Sequence, residues 1–248
     1  MLKVLTIDAD YWFPLDQDGH CGRCPDQDRN LRRMSVCTLF GSQNERRQST
    51  EDERTTPTIA DIVEMVRPGT PVKVTESHAE MFFILYRLHV RTGERLYVVN
   101  IDEHSDAGWC GHPTTTTVTT RGMMKTRYVF PVLEGDRYSH IGKEPVHCGV
   151  WAEAAVIGGW LRANNYRWIG DERSFRRWRR SKRGRDFSPD LVHVCHSAPY
   201  MSTRGDPHFA ALVRELERVS GHRASFYGHK ADALWKMVRR RDVPHVSA

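Results

Sequence analysis

Several short apolar runs along the chain end in acidic or imidazole side chains. Val4-Leu5-Thr6-Ile7 leads into Asp8-Ala9-Asp10-Tyr11-Trp12, and Val72-Lys73-Val74-Thr75 into Glu76-Ser77-His78. The uncharged run Leu96 to Ile101 leads into Asp102-Glu103-His104-Ser105-Asp106. Such runs, rich in β-branched residues and bounded by polar turns, predict buried strands. Residues 166–169 and 191–196 predict two more. Between them lie segments of helical pattern. One spans 58–66, with Pro57 at its start and Pro68-Gly69 as its stop; another spans 79–90 and is ended by Gly93. Further helices are expected at 149–163, 206–219 and 231–240, and a peripheral hairpin at 114–120 and 128–133. Strand and helix alternate without an internal repeat. This predicts a three-layer α/β/α fold around a mostly parallel sheet.

The strand ends carry the chemistry. An extended backbone sends Asp102, His104 and Asp106 to one side and Glu103 and Ser105 to the other. It also puts Asp8 with Asp10, and Glu76 with His78, on shared sides. Carboxylates so close repel unless a cation lies between them. A mixed oxygen and nitrogen set suits manganese, iron or zinc. In open α/β sheets, sites gather beyond the carboxyl ends of the strands. Asp8, Asp10, His78, Asp102, His104 and Asp106 are therefore the expected metal ligands. They are enough for two divalent ions about 3.5 Å apart that activate a water.

The same residues resemble a known family. One Asp-x-His-x-Asp strand end, one upstream His and one Asp-x-Asp pair form the pattern of the ureohydrolase superfamily, which includes arginase and agmatinase. The spacing from His78 to Asp102 is similar as well. The chain looks most like a divergent arginase-like branch that includes the peptide arginases, which convert arginine to ornithine within ribosomally made peptides. The likeness is carried by Glu76-Ser77-His78 before the aromatic segment Met81-Phe82-Phe83-Ile84-Leu85-Tyr86, and by Ile7-Asp8-Ala9-Asp10-Tyr11-Trp12. Val146-His147-Cys148-Gly149-Val150-Trp151 and His196-Ser197-Ala198-Pro199-Tyr200 add to it. Ordinary ureohydrolases carry the Asp-x-Asp pair after the Asp-x-His-x-Asp motif. Here it opens the chain, so the resemblance implies an arginase-like fold with that strand permuted to the N-terminus. The Ser-Pro of the branch has become Ser197-Ala198-Pro199. The resemblance further implies a binuclear, manganese-dependent hydrolase that cleaves a guanidinium, with peptidyl arginine yielding ornithine and urea.

His147, after a Pro and before a Gly-started helix, is the expected acid/base group; a near-neutral imidazole suits proton delivery to a leaving amine. A helix-capping role is the competing reading, and His112 in a Gly-Pro loop is the second choice. Glu76, in preference to Glu103, is the expected carboxylate partner of a guanidinium.

Composition sets the frame. A length of 248 residues suits one hydrolase domain spanning 1–248. A polar, Cys-containing insertion is expected at about 14–56, unusually long for a connection inside a compact domain. Cys21 and Cys24 have zinc-knuckle spacing, and Cys37 follows. A structural zinc, a redox or disulfide pair, and plain reduced thiols all remain open there. Cys148 and Cys195 sit in apolar contexts that predict small core residues. There is no N-terminal apolar signal and no long apolar stretch, so a cytoplasmic protein without membrane spans is expected. The formal net charge of +6 suits an acidic partner. Residues Arg173 to Arg185 hold eight Lys and Arg with Phe175 and Trp178 among them. This run raises a nucleic-acid partner as an alternative to a solvated face. Two alternatives to the arginase-type reading thus stand: a deacetylase or amidohydrolase of the same superfamily, and a basic nucleic-acid- or peptide-binding protein with a non-catalytic metal site.

Overall fold

Six parallel strands form one sheet in the computed structural model. It describes residues 1–13, 54–104, 106, 140–141, 144–145, 151–157, 159–197, 201, 205–228 and 230–240. In chain order the elements begin with β1 (Leu2–Asp8), a 3₁₀ turn (Ala9–Tyr11), α1 (Ile59–Val63), β2 (Val72–Thr75), α2 (Glu80–Thr92) and β3 (Leu96–Ile101). A small antiparallel pair, β4 (His140–Ile141) and β5 (Glu144–Pro145), precedes α3 (Trp151–Ile157) and β6 (Leu161–Ile169). Then follow α4 (Glu172–Arg180), α5 (Lys182–Arg185), β7 (Leu191–Cys195), α6 (Gly205–Ser220), β8 (Ser225–Phe226) and α7 (Ala231–Arg239). The sheet order is β6-β3-β1-β7-β2-β8.

Alternation along the strands assigns the layers. Leu5 and Ile7 of β1, Tyr97, Val99 and Ile101 of β3, and Val192 and Val194 of β7 pack on one face with α1, α4, α6 and α7. Val4, Leu96, Val98 and Leu191 pack on the other, against α2 and α3. This second face changes character toward the carboxyl edge. There, Asn100, Thr6 and His193 stand side by side across β3, β1 and β7, all fully buried. Fully buried polar side chains need partners. Here those partners belong to the site described below.

Two expectations are corrected by backbone detail. The helix expected at 149–163 ends at Ile157, because Gly159 takes a left-handed φ of +88° and stops it. Residues from Leu161 on join the sheet instead, so the strand expected at 166–169 is longer. Its outer half is exposed, and its register against β3 shifts between Leu96 and Val98, which masks the strand pattern. The two-residue β8 at the far edge has no sequence signal of its own. By contrast, α2 stops at Gly93, in the left-handed conformation, as its sequence predicts. Thr58 caps α1 through a reciprocal hydrogen-bond box with Asp61.

The polar insertion leaves and rejoins the domain at one place. The Arg54 N–H donates to the Trp12 carbonyl at 3.1 Å, the Trp12 indole to the Pro57 carbonyl at 2.7 Å, and the Tyr11 hydroxyl to the Thr56 carbonyl at 3.0 Å. The Arg54 guanidinium pairs with Glu103 and lies 4.8 Å from the Tyr11 ring centroid. Cys21, Cys24 and Cys37 of the insertion lie outside the described residues, as do His112 and the hairpin expected at 114–120 and 128–133. Cys195 is a fully buried core thiol. No helix among the described residues is long and apolar enough to cross a membrane.

The layer assignment makes a mutational prediction. Leu85 of α2 is fully buried, whereas Val90 on the same helix is 60% exposed. Leu85→Ala should cost about 2–5 kcal/mol of unfolding free energy, and Val90→Ala less than about 0.5 kcal/mol. Denaturant unfolding measures both. Equal effects would mean that α2 does not pack through this face.

Candidate metal centre

All six expected ligands meet at the carboxyl edge of the sheet, though not all by strand alternation. β1 ends at Asp8, and the 3₁₀ turn then carries Asp10, whose N–H donates back to Asp8 Oδ1 at 3.3 Å. β2 ends at Thr75, so His78 is placed by the turn into α2, where its carbonyl accepts from Met81 N at 2.9 Å. β3 ends at Ile101, and the Asp102–Asp106 motif is a loop. Asp106 sits at φ +52° instead of continuing an extended strand.

His78 is the hub. Its Nδ1 lies 3.1 Å from Asp8 Oδ2, 3.0 Å from Asp102 Oδ2 and 2.9 Å from Asp106 Oδ2. None of the three oxygens is aligned for a hydrogen bond with it. A second group stands beside the first, with His104 Nδ1 at 3.5 Å from Asp10 Oδ2 and 3.8 Å from Asp102 Oδ1. Asp102 thus turns one oxygen to each histidine. The ligand atoms of Asp8, His78 and Asp102 lie within 4.8 Å of one another, and so do those of Asp10, Asp102 and His104; each group can hold a cation.

The proton order behind His78 follows from one acceptor-only group. The Thr75 hydroxyl donates to the Ser77 carbonyl at 2.9 Å, so it must accept from His193 Nε2–H at 2.8 Å. Burial and the neighbouring His78 hold the His193 pKa well below the usual value, which leaves its Nδ1 bare. That nitrogen accepts from the Thr6 hydroxyl at 2.8 Å, and Thr6 accepts from His78 Nε2–H at 2.8 Å. His78 therefore presents Nδ1 to the three carboxylates. This arrangement orients an imidazole ligand.

The carboxylates are steered in the same way. Asp106 accepts from the Trp151 indole at 2.5 Å, and Asp8 from the Ser197 hydroxyl at 2.5 Å. Asp102 accepts from Asn100 Nδ2 at 3.2 Å and from the His104 N–H at 2.8 Å. The Trp168 indole donates to the Asp102 carbonyl at 2.8 Å.

Without a cation the cluster has to hold protons. Burial, with Asp8 and Asp102 nearby, pushes the Asp10 carboxyl well above its usual pKa; burial and Asp102 do the same to Asp106. Burial opposes charge on His78, but Asp106, Asp102 and Asp8 outweigh it and raise its pKa well above the usual value. His104 is likewise raised, to about 10, as Asp10 outweighs burial. Asp102 is lowered to about 2, because the histidines overcome its burial. Trapped protons, the unpartnered Asp10 Oδ1 and the unaligned His78 Nδ1 are what a divalent-cation site presents in its protonated form.

Two expected catalytic residues fare differently. His147 lies outside the described residues. Glu76 is buried at the end of β2, but its Oε2 is 3.1 Å from His196 Nδ1, and His196 Nε2 is 2.9 Å from Asp206 Oδ1. Glu76 therefore faces His196, not the His78 cluster, so the shared side expected for these two residues is not kept. Glu103 is paired with Arg54. Sequence reasoning missed Thr6, Thr75, Asn100 and His193, and it quoted Ser197 without assigning it a role at the site. The available signal was polarity inside otherwise apolar strands, clearest for His193 within Leu-Val-His-Val-Cys.

No protein-family model matches the chain, and neither does any curated protein or solved structure. The chain is a three-layer α/β protein with a buried Asp/His cluster at the carboxyl edge of a parallel sheet.

The His196 bridge gives a pH prediction for metal-free protein. Burial opposes its charge, but Glu76 and Asp206 raise its pKa to about 9. A pKa raised above the unfolded value of about 6.5 means stability that is full below that pH and is lost as pH rises through about 9. Against His196→Gln, the wild-type advantage in unfolding free energy should shrink by on the order of 3 kcal/mol between pH 6 and pH 10. An advantage that does not vary with pH would contradict an imidazolium at this position.

Proposed function

We propose that this chain is a metal-dependent hydrolase of the arginase type, acting on the guanidinium of an arginine-like group. The observation that carries the proposal is Asp102, whose two carboxylate oxygens face two separate histidines, each with its own aspartate. That arrangement suits a carboxylate shared between two cations. Asp8, His78, Asp102 and Asp106 would hold one cation, and Asp10, Asp102 and His104 a second beside it. Manganese is the first choice among cations for a mixed carboxylate and imidazole set. Bound there, the cations would supply Lewis acidity and lower the pKa of a water, so that it can attack an unreactive carbon at neutral pH.

The protein's own groups do the rest. Thr6 and His193 fix the ring of His78, Trp151 holds Asp106, and Asn100 holds Asp102. Trp151 and Tyr166, with ring centroids 5.9 Å apart, pack beside the cluster, and the Trp151 ring lies 5.0 Å from that of His78. Hydrolysis of a guanidinium consumes one water and releases urea and an amine. His147 is proposed as the donor of the amine's proton, from the resemblance described above. Because Glu76 Oε2 is held by His196, a two-oxygen grip on a guanidinium by Glu76 requires that pair to open. Peptidyl arginine, converted to ornithine, is the proposed substrate form.

A second reading is favoured by α4. Phe175 and Trp178 anchor this helix in the core, while Arg173, Arg176, Arg177 and Arg180 line an open groove with Glu172. That surface suits a polyanion.

One assay separates the readings. With Mn(II) supplied, the wild type should release urea from an arginine-bearing peptide, and Asp102→Asn should lose at least about 10²-fold in rate together with its bound metal. Acetate from an acetyl-lysine peptide, without urea, would move the protein to the deacetylases. Neither product from metal-loaded protein, with salt-sensitive binding to nucleic acid, would favour the α4 reading.

A further inference from the structure

Among the described residues, only two non-glycine residues have positive φ: Asp106 at +52° and Ser197 at +47°. Both lie at the candidate metal centre. Asp tolerates this conformation comparatively well, whereas Ser does so less readily. Such a backbone persists only where its surroundings impose it, and it clusters at functional positions.

The contacts of Ser197 show what imposes it. β7 ends at Cys195, and the chain then turns over the sheet edge. The His196 N–H donates to the Thr75 carbonyl at 2.9 Å and the Ser197 N–H to the Glu76 carbonyl at 3.1 Å, so the turn is tied to the end of β2. The Ser197 carbonyl accepts from Met201 N at 3.1 Å. Fixed on both sides, the side chain is 4% exposed and its hydroxyl donates to Asp8 Oδ2 at 2.5 Å, beside the Cys195 thiol at 3.3 Å. That oxygen of Asp8 is the one that lies 3.1 Å from His78 Nδ1. A relaxed backbone at residue 197 would change the direction of the hydroxyl.

We infer that Ser197 is a positioning residue for the metal centre: its left-handed backbone aims a hydroxyl at Asp8 Oδ2 and holds that oxygen on the side of His78. The assignment rests on the metal-centre reading above. It adds a residue from a fourth strand end, β7, which contributes no ligand of its own. Oxygens that accept a fixed donor keep their remaining lone pairs directed, and loss of such outer partners typically weakens metal binding.

The test compares full-length wild type, Ser197→Ala and Ser197→Gly. Both variants remove the hydroxyl, and only glycine relaxes the backbone. Mn(II) affinity is read by titration calorimetry, and thermal unfolding is followed separately in chelator. Both variants should lose about 10- to 100-fold in Mn(II) affinity, while the glycine variant unfolds at a higher temperature than the alanine variant. If the alanine variant does not fold, the glycine variant alone decides. A serine that served only the fold would lower the unfolding temperature and leave affinity within twofold of wild type, which would overturn the assignment. Wild-type affinity in the glycine variant with weakened binding in the alanine variant would also overturn it, because backbone strain, not the hydroxyl, would then set affinity. Wild type that binds no Mn(II) removes the metal-centre reading itself. Tight wild-type binding with unchanged variants removes only the role of Ser197.

Discussion

Four aspartates share one small buried volume at the carboxyl edge of the sheet, and their mutual repulsion is the constraint around which the structure is arranged. Two unit charges 4 Å apart near a protein surface repel by about 4 kcal/mol. A few such pairs rival the whole stability of a domain, about 5–15 kcal/mol. The cluster can exist only with compensating positive charge, either protons or metal ions. Protons serve in the metal-free state, and the raised pKa values of His78, His104, Asp10 and Asp106 record that strain. Cations would serve it better, because each replaces several trapped protons at once.

The fold meets this constraint by making one sheet face polar near its carboxyl edge. Val4, Val98 and Leu191 begin that face as ordinary core. Two residues further along, Thr6, Asn100 and His193 replace them; Asp8 then ends β1, while Asp102 and Ser197 follow the ends of β3 and β7. Thr6, His193 and the Asn100 amide N–H find partners in the cluster or the shell around it, whereas Asn100 Oδ1, Asp10 Oδ1 and His78 Nδ1 are left without one. The opposite face carries the larger apolar core, from Leu5 and Ile7 to Val192 and Val194, and packs four helices. Strands supply Asp8 and the buried polar layer behind the site, and the turns and loop just beyond the strand ends supply the other five candidate ligands.

The sequence reveals β1, β2 and β3 because their cores are aliphatic and their ends are charged. It also singles out the six Asp and His residues that the structure brings together, because all six follow closely on apolar runs. The geometry behind that set was not legible. Asp10, His78 and Asp106 reach the site through a 3₁₀ turn, a helix entry and a left-handed residue, where strand alternation gives no guidance. The engagement of Glu76 by His196 depends on β7 lying between β1 and β2, a topological fact that no local pattern carries. Residues Leu161–Asn165 were hidden because an edge strand exposes polar side chains and loses the alternation that marks its neighbours. Thr6 and His193 were visible as anomalies in apolar runs, but their meaning needed their partners.

The Asp/His cluster is proposed as a two-cation centre divided by Asp102. Diffraction from crystals of the protein soaked in Mn(II), with anomalous data collected at the manganese edge, tests it most directly. Two anomalous peaks are expected on either side of the Asp102 carboxylate, one bonded to His78 Nδ1 and the other to His104 Nδ1. A single peak away from Asp102, or none beside the cluster at full soaking, would contradict it.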